Sequence, residues 1–81
     1  MEWIEVVMRT EDYIKLRYYP KQTAAVGPFG EVTYFFATDK WAFDKIADGY
    51  GTNYAMHACN FARQHYKNGE EIPQCSLTAW Y

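Results

Sequence analysis

A period of two near the start of the chain restricts its fold more than any other feature. A strand over residues 2–9 has one wholly apolar face, formed by Ile4, Val6 and Met8, and an opposite face that carries Glu5 and Arg9. Residues 13–19 repeat the period, with Ile14, Leu16 and Tyr18 on one face and Tyr13, Lys15, Arg17 and Tyr19 on the other. A strand exposed on one face shows this period, and a helix does not. The two runs are joined by residues 10–12, Thr-Glu-Asp, which are polar turn formers. The sequence therefore predicts a β-hairpin at this end of the chain.

The middle of the chain predicts a loop, a strand and a helix. Residues 21–30 are rich in turn formers and are expected to form the one long irregular connection. Residues 31–38 are β-branched and aromatic on both faces, as in a central strand covered on both sides. Residues 39–49 begin with Asp39, a good N-cap residue, and end at Gly49. They predict a short first helix.

A second helix and a last strand complete the expected elements. The helix begins at Thr52 or Asn53 and ends at Gly69. Its small residues fall within one arc, so we expect the helix to lie close against the sheet. The residues that form this arc with Tyr66 are Ala55, Ala58, Cys59 and Ala62. Beyond Pro73 the alternation returns and predicts a strand with Cys75 on its inward face.

The expected fold is an α+β domain with the element order βββααβ. It contains a four-stranded, mainly antiparallel sheet with both helices on one face, which leaves the other face open. Because 81 residues are too few for two cores, residues 1–81 are expected to form a single compact domain. The first residues contain no basic segment followed by an apolar stretch, so we expect no signal peptide, and no run approaches the roughly 18 apolar residues of a membrane span. We therefore expect a soluble, cytoplasmic protein.

The potential metal ligands and thiols favour structural roles. His57, Cys59 and His65 lie on the second predicted helix, where Cys59 points about 160° away from His57. Since metal ligands must converge on one point, we expect no metal and no cofactor. Cys59 and Cys75 are expected to be free, buried thiols. A disulfide between them is the lesser alternative.

No catalytic residue is expected. Asp44 and Asp48 would form an i,i+4 pair on the first predicted helix, but lysines beside them are typical of a solvated helix face. The chain also lacks a nucleophile elbow and a phosphate-binding loop. A small enzyme is therefore the third hypothesis. It would need a pocket that joins His57 or His65 to a carboxylate.

The aromatic content points to a contact surface. Phe, Trp and Tyr make up 20% of the chain, and alternation places many of them on the open face of the sheet, with Glu5 and Arg9 between them. Tyr and Trp beside Arg are the side chains that anchor interfaces. The predicted interface consists of Trp3, Tyr13, Lys15, Arg17, Tyr19, Phe35 and Trp80. The alternatives are that the aromatic residues form cross-strand pairs, or that the loop of residues 21–30 folds over them.

Charge separates the possible partners. The chain has 8 Lys and Arg against 10 Asp and Glu, a net charge of -2. A general binder of phosphate backbones is expected to be basic. We therefore expect a non-enzymatic protein-binding module that docks on a larger protein or on its own copy. The runner-up is a single-stranded nucleic-acid binder that stacks bases on the same face. A small homodimeric accessory protein is the second alternative.

In its length and composition, the chain is similar to small phage-encoded inhibitors of bacterial defence, anti-CRISPR proteins among them. No motif carries this similarity. It implies a viral protein that acts in the host cytoplasm. Such a protein would dock on a larger complex and block its nucleic-acid channel or catalytic surface.

Overall fold

A computed structural model describes residues 1–79 and shows five antiparallel strands packed against one helix. The elements are β1 (Glu2–Arg9), β2 (Tyr13–Pro20), β3 (Gly30–Phe35), β4 (Lys40–Lys45), α1 (Asn53–Lys67) and β5 (Cys75–Thr78). The strand order is β4-β3-β2-β1-β5, so that β4 and β5 form the two edges of the sheet. The expected hairpin is present as β1 and β2.

The predicted four-stranded sheet with two helices is wrong, because residues 39–49 do not form a helix. Asp39 has a φ of 56°, the left-handed conformation that Asp tolerates in turns. It lies in the turn of residues 36–39, which reverses the chain so that β4 pairs with β3. Trp41 and Phe43 then lie on the same face of β4 and pack against the core. The domain is α+β only in the broad sense.

Because residues 39–49 are not helical, Asp44 and Asp48 do not form the predicted i,i+4 pair on a helix. Asp44 lies on β4, and Asp48 lies in the segment that follows this strand. Asp39 has a different role, because its carboxylate accepts hydrogen bonds from the Tyr34 hydroxyl at 2.6 Å and from Arg63 Nε at 2.9 Å. Arg63 is on α1, so these bonds tie the β3–β4 turn to the helix.

The helix α1 lies where the sequence predicts the second helix. Thr52 is its N-cap residue, and Gly69, with a φ of 72°, follows the C-cap residue Asn68. The Gly69 amide donates a hydrogen bond to the Tyr66 carbonyl oxygen at 3.1 Å. The small residues of the helix are fully buried, which lets the helix lie close to the sheet. These residues are Ala55, Ala58, Cys59 and Ala62.

The core lies between α1 and one face of the sheet. Its largest fully buried side chains include Tyr18 and Tyr34. The Tyr18 hydroxyl accepts a hydrogen bond from the Ala47 amide at 3.2 Å. Gly30 is the register partner of Tyr18, and a Cβ atom on Gly30 would lie 2.2 Å from Cζ of the Tyr18 ring. Only glycine fits against this ring.

A β-bulge between Val6 and Met8 changes the side on which the end of β1 lies. Met8, expected on the inward face, pairs with Lys15 on the open face. Arg9, expected on the open face, pairs with Ile14 on the helix side. Its guanidinium donates a hydrogen bond to the Ile72 carbonyl oxygen at 2.6 Å. The alternation therefore fails after the bulge.

The side chains of the last strand, β5, lie on the faces opposite to those predicted. Cys75 pairs with Glu5, and Leu77 pairs with Trp3, so both side chains lie on the open face. The expectation that Cys75 is buried is therefore wrong, since its side chain is exposed. A strand pattern gives the period but not the face, and a shift of one residue exchanges the two faces. Among residues 1–79, no helix has both the length and the apolar character needed to cross a membrane.

Candidate docking face on the sheet

The helix covers one face of the sheet and leaves the opposite face to solvent. Register partners share a face in an antiparallel sheet, so the pairing identifies its members. We use the name open face for the following side chains: Trp3, Glu5, Met8, Tyr13, Lys15, Arg17, Tyr19, Glu31, Thr33, Phe35, Lys40, Ala42, Lys45, Cys75 and Leu77. Phe29 and Asp44 contact this face from its border.

The structure brings six of the seven predicted interface residues together on the open face. They are Trp3, Tyr13, Lys15, Arg17, Tyr19 and Phe35. The seventh, Trp80, lies outside the described residues. The aromatic members differ in accessibility: Phe35 is 38% exposed, Trp3 and Tyr13 are half-buried, and Tyr19 is only 7% exposed. Tyr19 is therefore a poor anchor for a partner.

Phe29 explains the burial of Tyr19. Its ring comes from the end of the connection of residues 21–30 and lies 5.8 Å from the Tyr19 ring. Arg17 Cζ and Lys45 Nζ lie 4.5 Å and 4.0 Å from the Phe29 centroid, which is cation–π distance. The loop thus covers the aromatic face at this one position. Sequence reasoning missed Phe29, because an irregular segment has no periodicity that would place its side chains.

Two cations of the open face, Arg17 and Lys15, have carboxylate partners on this face or at its border. Arg17 Nη2 and Nε donate to Glu31 Oε2 at 2.7 Å and 3.0 Å. The hydrogen bond to Glu31 is the largest cause that raises the pKa of Arg17. Lys15 Nζ lies 3.3 Å from Asp44 Oδ2, which also accepts a hydrogen bond from the Thr33 hydroxyl at 2.6 Å. These charges are neutralised within the protein.

Exposed apolar side chains form two groups at the ends of this polar band. The distal apolar group consists of Met8, Tyr13 and Phe35. The Tyr13 hydroxyl lies 3.3 Å from Met8 Sδ, the rings of Tyr13 and Phe35 are 5.9 Å apart, and Met8 is 48% exposed. The edge apolar group consists of Trp3 and its register partner Leu77, which is 50% exposed. Sequence reasoning missed Met8 because of the bulge and Leu77 because of the inverted strand.

A buried carboxylate and a histidine form a polar pair on the helix side. Glu2 of β1 is fully buried, and its Oε1 lies 2.5 Å from Nδ1 of His57 on α1. Its other oxygen has no hydrogen-bond partner in the part of the chain that is described. Burial raises the pKa of Glu2, and the hydrogen bond from His57 opposes this effect. The pair joins the sheet to the helix.

A groove of about 300 Å³ lies beside this pair, between α1 and β5. It is lined by His57, Asn60, Phe61, Gln64, His65, Thr78 and Ala79. A carboxylate that holds an imidazole next to a cavity is the arrangement that the enzyme hypothesis requires, and it can orient a general base. A thiol nucleophile is not supplied by Cys59, since burial raises its pKa to about 12. Within residues 1–79, no three His, Cys, Asp or Glu side chains are grouped as metal ligands.

No protein-family model, no curated protein and no solved structure matches the chain.

Proposed function

We propose that the chain is a non-enzymatic protein-binding module that docks its open face on another protein. The observation that carries the proposal is the distal apolar group, in which Met8 and Phe35 stand exposed on a sheet. Water contact with such a cluster is unfavourable, and contiguous exposed apolar patches mark interaction sites. Aromatic residues and Met are also enriched in the centres of protein interfaces.

The two ion pairs of the open face favour a protein over a nucleic acid. A phosphate backbone would compete with Glu31 for Arg17 and with Asp44 for Lys15. Displacing either carboxylate would leave a negative charge beside a phosphate, which costs free energy. A protein surface with charges of both signs can instead surround the ion pairs without breaking them. The partner that fits has an apolar patch opposite the distal apolar group and charges of both signs beside it.

The proposal is tested by crosslinking from defined positions. A photoreactive phenylalanine replaces Phe35 on the open face or, as a matched control, Met56 on α1, which is exposed to a similar degree (44% against 38%). We expect a discrete adduct with the partner from position 35 and none from position 56. Equal adducts from both positions, or an adduct from position 56 alone, would contradict docking through the open face.

Substitutions then measure how much the distal apolar group contributes. Phe35→Ala is expected to weaken binding of the crosslinked partner at least about tenfold, as truncation of a central aromatic residue does. Met56→Ala is the control and should leave the affinity unchanged. Thermal unfolding of both variants shows whether the fold survives. An affinity that Phe35→Ala does not change, in a folded protein, would refute the proposal.

Single-stranded nucleic acid is the competing partner, and salt distinguishes it. Solution mass is measured by light scattering with an added oligonucleotide at low and high salt. Phosphate binding releases counterions, so a nucleic-acid complex would form at low salt and dissociate steeply as salt increases. We expect the solution mass of the protein to stay the same when the oligonucleotide is added, at low salt and at high salt. A salt-sensitive increase in mass would replace the protein-docking proposal.

The steric-blocking form of the proposal adds that the covered surface of the partner is its catalytic surface or nucleic-acid channel. In that form, the domain inhibits the partner, and Phe35→Ala restores the activity in proportion to the loss of binding. Binding that leaves the partner fully active would limit the function to docking.

A further inference from the structure

The two edges of the sheet differ in how they are protected against another strand. β4 carries Lys40 and Lys45 at its ends, and its register shifts opposite Glu31 and Val32. Lysine and irregular register on an edge strand both discourage pairing with a further strand. β5 reads Cys-Ser-Leu-Thr and contains no charge, no proline and no register shift. It is therefore the unprotected edge.

The free backbone groups of this edge can be identified from one hydrogen bond. The Val6 amide donates to the Gln74 carbonyl oxygen at 2.8 Å, which makes these two residues a hydrogen-bonded pair. Such pairs alternate along an antiparallel ladder. Ser76 therefore directs its backbone groups to β1, whereas Cys75 and Leu77 direct theirs away from the sheet. In the described part of the chain, no strand lies beyond β5.

The groove between α1 and β5 lies directly along this edge, because Thr78 and Ala79 line it. On the helix side, the groove presents the Phe61 ring between the amide side chains of Asn60 and Gln64, together with two imidazoles. The amides and imidazoles can hydrogen-bond to a neutral hydroxyl. A strand placed next to β5 would need small, uncharged side chains on its helix side to fit this mixed lining.

We propose that the strand that occupies this edge is β5 of a second copy, paired antiparallel across a twofold axis. Two identical strands satisfy such an isologous contact, because each residue meets the same set of partners. A twofold axis perpendicular to the sheet keeps the helices of both copies on one side. The small side chains of Ser76 and Thr78 of each copy then lie on the helix side of the seam, where the Ser76 hydroxyl faces the groove of the other copy and the Thr78 hydroxyl keeps its hydrogen bond to the Glu2 carbonyl oxygen at 3.3 Å. No charge of β5 has to leave water.

The resulting dimer has one sheet that continues through both copies and shows the open face twice. Leu77 of each copy moves from solvent to the seam between the two strands. This inference goes beyond docking through the open face and does not depend on it, since pairing uses backbone groups of the edge. The distal apolar group, at the other end of the polar band, stays free for a different protein.

Solution mass of the whole chain tests the dimer. We expect analytical ultracentrifugation to give about twice the 9.5 kDa of one chain at high concentration and dissociation on dilution. Leu77→Pro removes an outward amide and leaves the ladder with β1 intact, so it should weaken self-association at least about tenfold. Leu77→Ala keeps the amide and is the matched control, with a smaller effect. A wild-type monomer at all concentrations would overturn the inference.

Amide exchange in the wild-type protein gives a second test that needs no variant. The amides of Cys75 and Leu77 should exchange fast in dilute protein and slowly in concentrated protein, while the Ser76 amide is protected in both. Phe35→Ala should not change the mass. A dimer that Phe35→Ala dissociates and Leu77→Pro does not would lie on the open face, and this result would overturn edge pairing while leaving the open face as the docking surface.

Discussion

Replacing Gly30 with alanine adds only one methyl group but should strongly lower the free energy of unfolding. The added methyl group would lie 2.2 Å from Cζ, 2.3 Å from the hydroxyl oxygen and 2.4 Å from Cε1 of Tyr18. The Tyr18 ring is fully buried and cannot swing into solvent. Either the ring or β3 must move, and a shift of the ring breaks its hydrogen bond with the Ala47 amide.

The size of the effect follows from three contributions. Overpacking of a dense core costs about 1–3 kcal/mol, and the lost hydrogen bond costs about 1 kcal/mol. Alanine returns about 0.5–1 kcal/mol, because it restricts the unfolded backbone more than glycine does. The net loss for Gly30→Ala is therefore about 1–3.5 kcal/mol, which lowers Tm by about 4–28 °C in a domain of this size.

Thermal and urea unfolding of Gly30→Ala measure this loss against a matched control. Gly51 also has a φ that is not positive, and a Cβ atom there would have no neighbour within 4 Å, so Gly51→Ala should leave Tm nearly unchanged. In the Gly30→Ala background, Tyr18→Leu removes the ring and should cost less than it does in the wild type. If Gly30→Ala proves as mild as Gly51→Ala, the close contact with Tyr18 does not determine this position.

Two further predictions concern a charge and a thiol. Hydrogen bonds from Arg63 and then from the Tyr34 hydroxyl lower the pKa of Asp39 to about 2, so the stability that its ionised form contributes is complete above pH 3.8 and is lost as the pH falls towards 2. Asn tolerates the left-handed turn, so Asp39→Asn should keep the fold. It should remove this acid dependence from the urea midpoints measured between pH 2 and pH 6. Urea midpoints that fall with pH as steeply as in the wild type would contradict this role of Asp39. Of the two free thiols, only Cys75 should react with Ellman's reagent in the folded protein, because Cys59 is buried and its pKa is raised to about 12. Cys75→Ser should therefore abolish the fast reaction, and a fast phase that persists would place Cys59 in reach of solvent.

The sequence predicts those parts of the fold in which one local signal dominates. The hairpin follows from the alternation on both sides of residues 10–12, and α1 follows from its small residues between Thr52 and Gly69. The β4 strand was missed because Asp39 is equally suited to a helix N-cap and to a left-handed turn. The alternation of Trp41 and Phe43 with Ala42 was the competing signal.

The site is predictable where the strands are regular and not elsewhere. Lys15 and Arg17 were placed on the correct face because β2 has no irregularity in its pairing with β3. The bulge after Val6 exchanges the faces of Met8 and Arg9, and alternation by itself does not locate a bulge. Tyr19 lies on the expected face but is buried, since its cover comes from a segment without periodicity.

The position of β5 in the strand order has a consequence for how the chain folds in time. β1 and β2 lie next to each other in sequence, whereas β1 meets β5 only across a separation such as that between Glu2 and Thr78. Closing so long a loop is slow, so the hairpin should form early and β5 should join late. Until β5 joins, one edge of β1 has no partner strand, and Ile4 and Val6, which are buried in the folded protein, are exposed on the nascent chain. Fast docking of α1 would be this protein's defence against misassembly during synthesis.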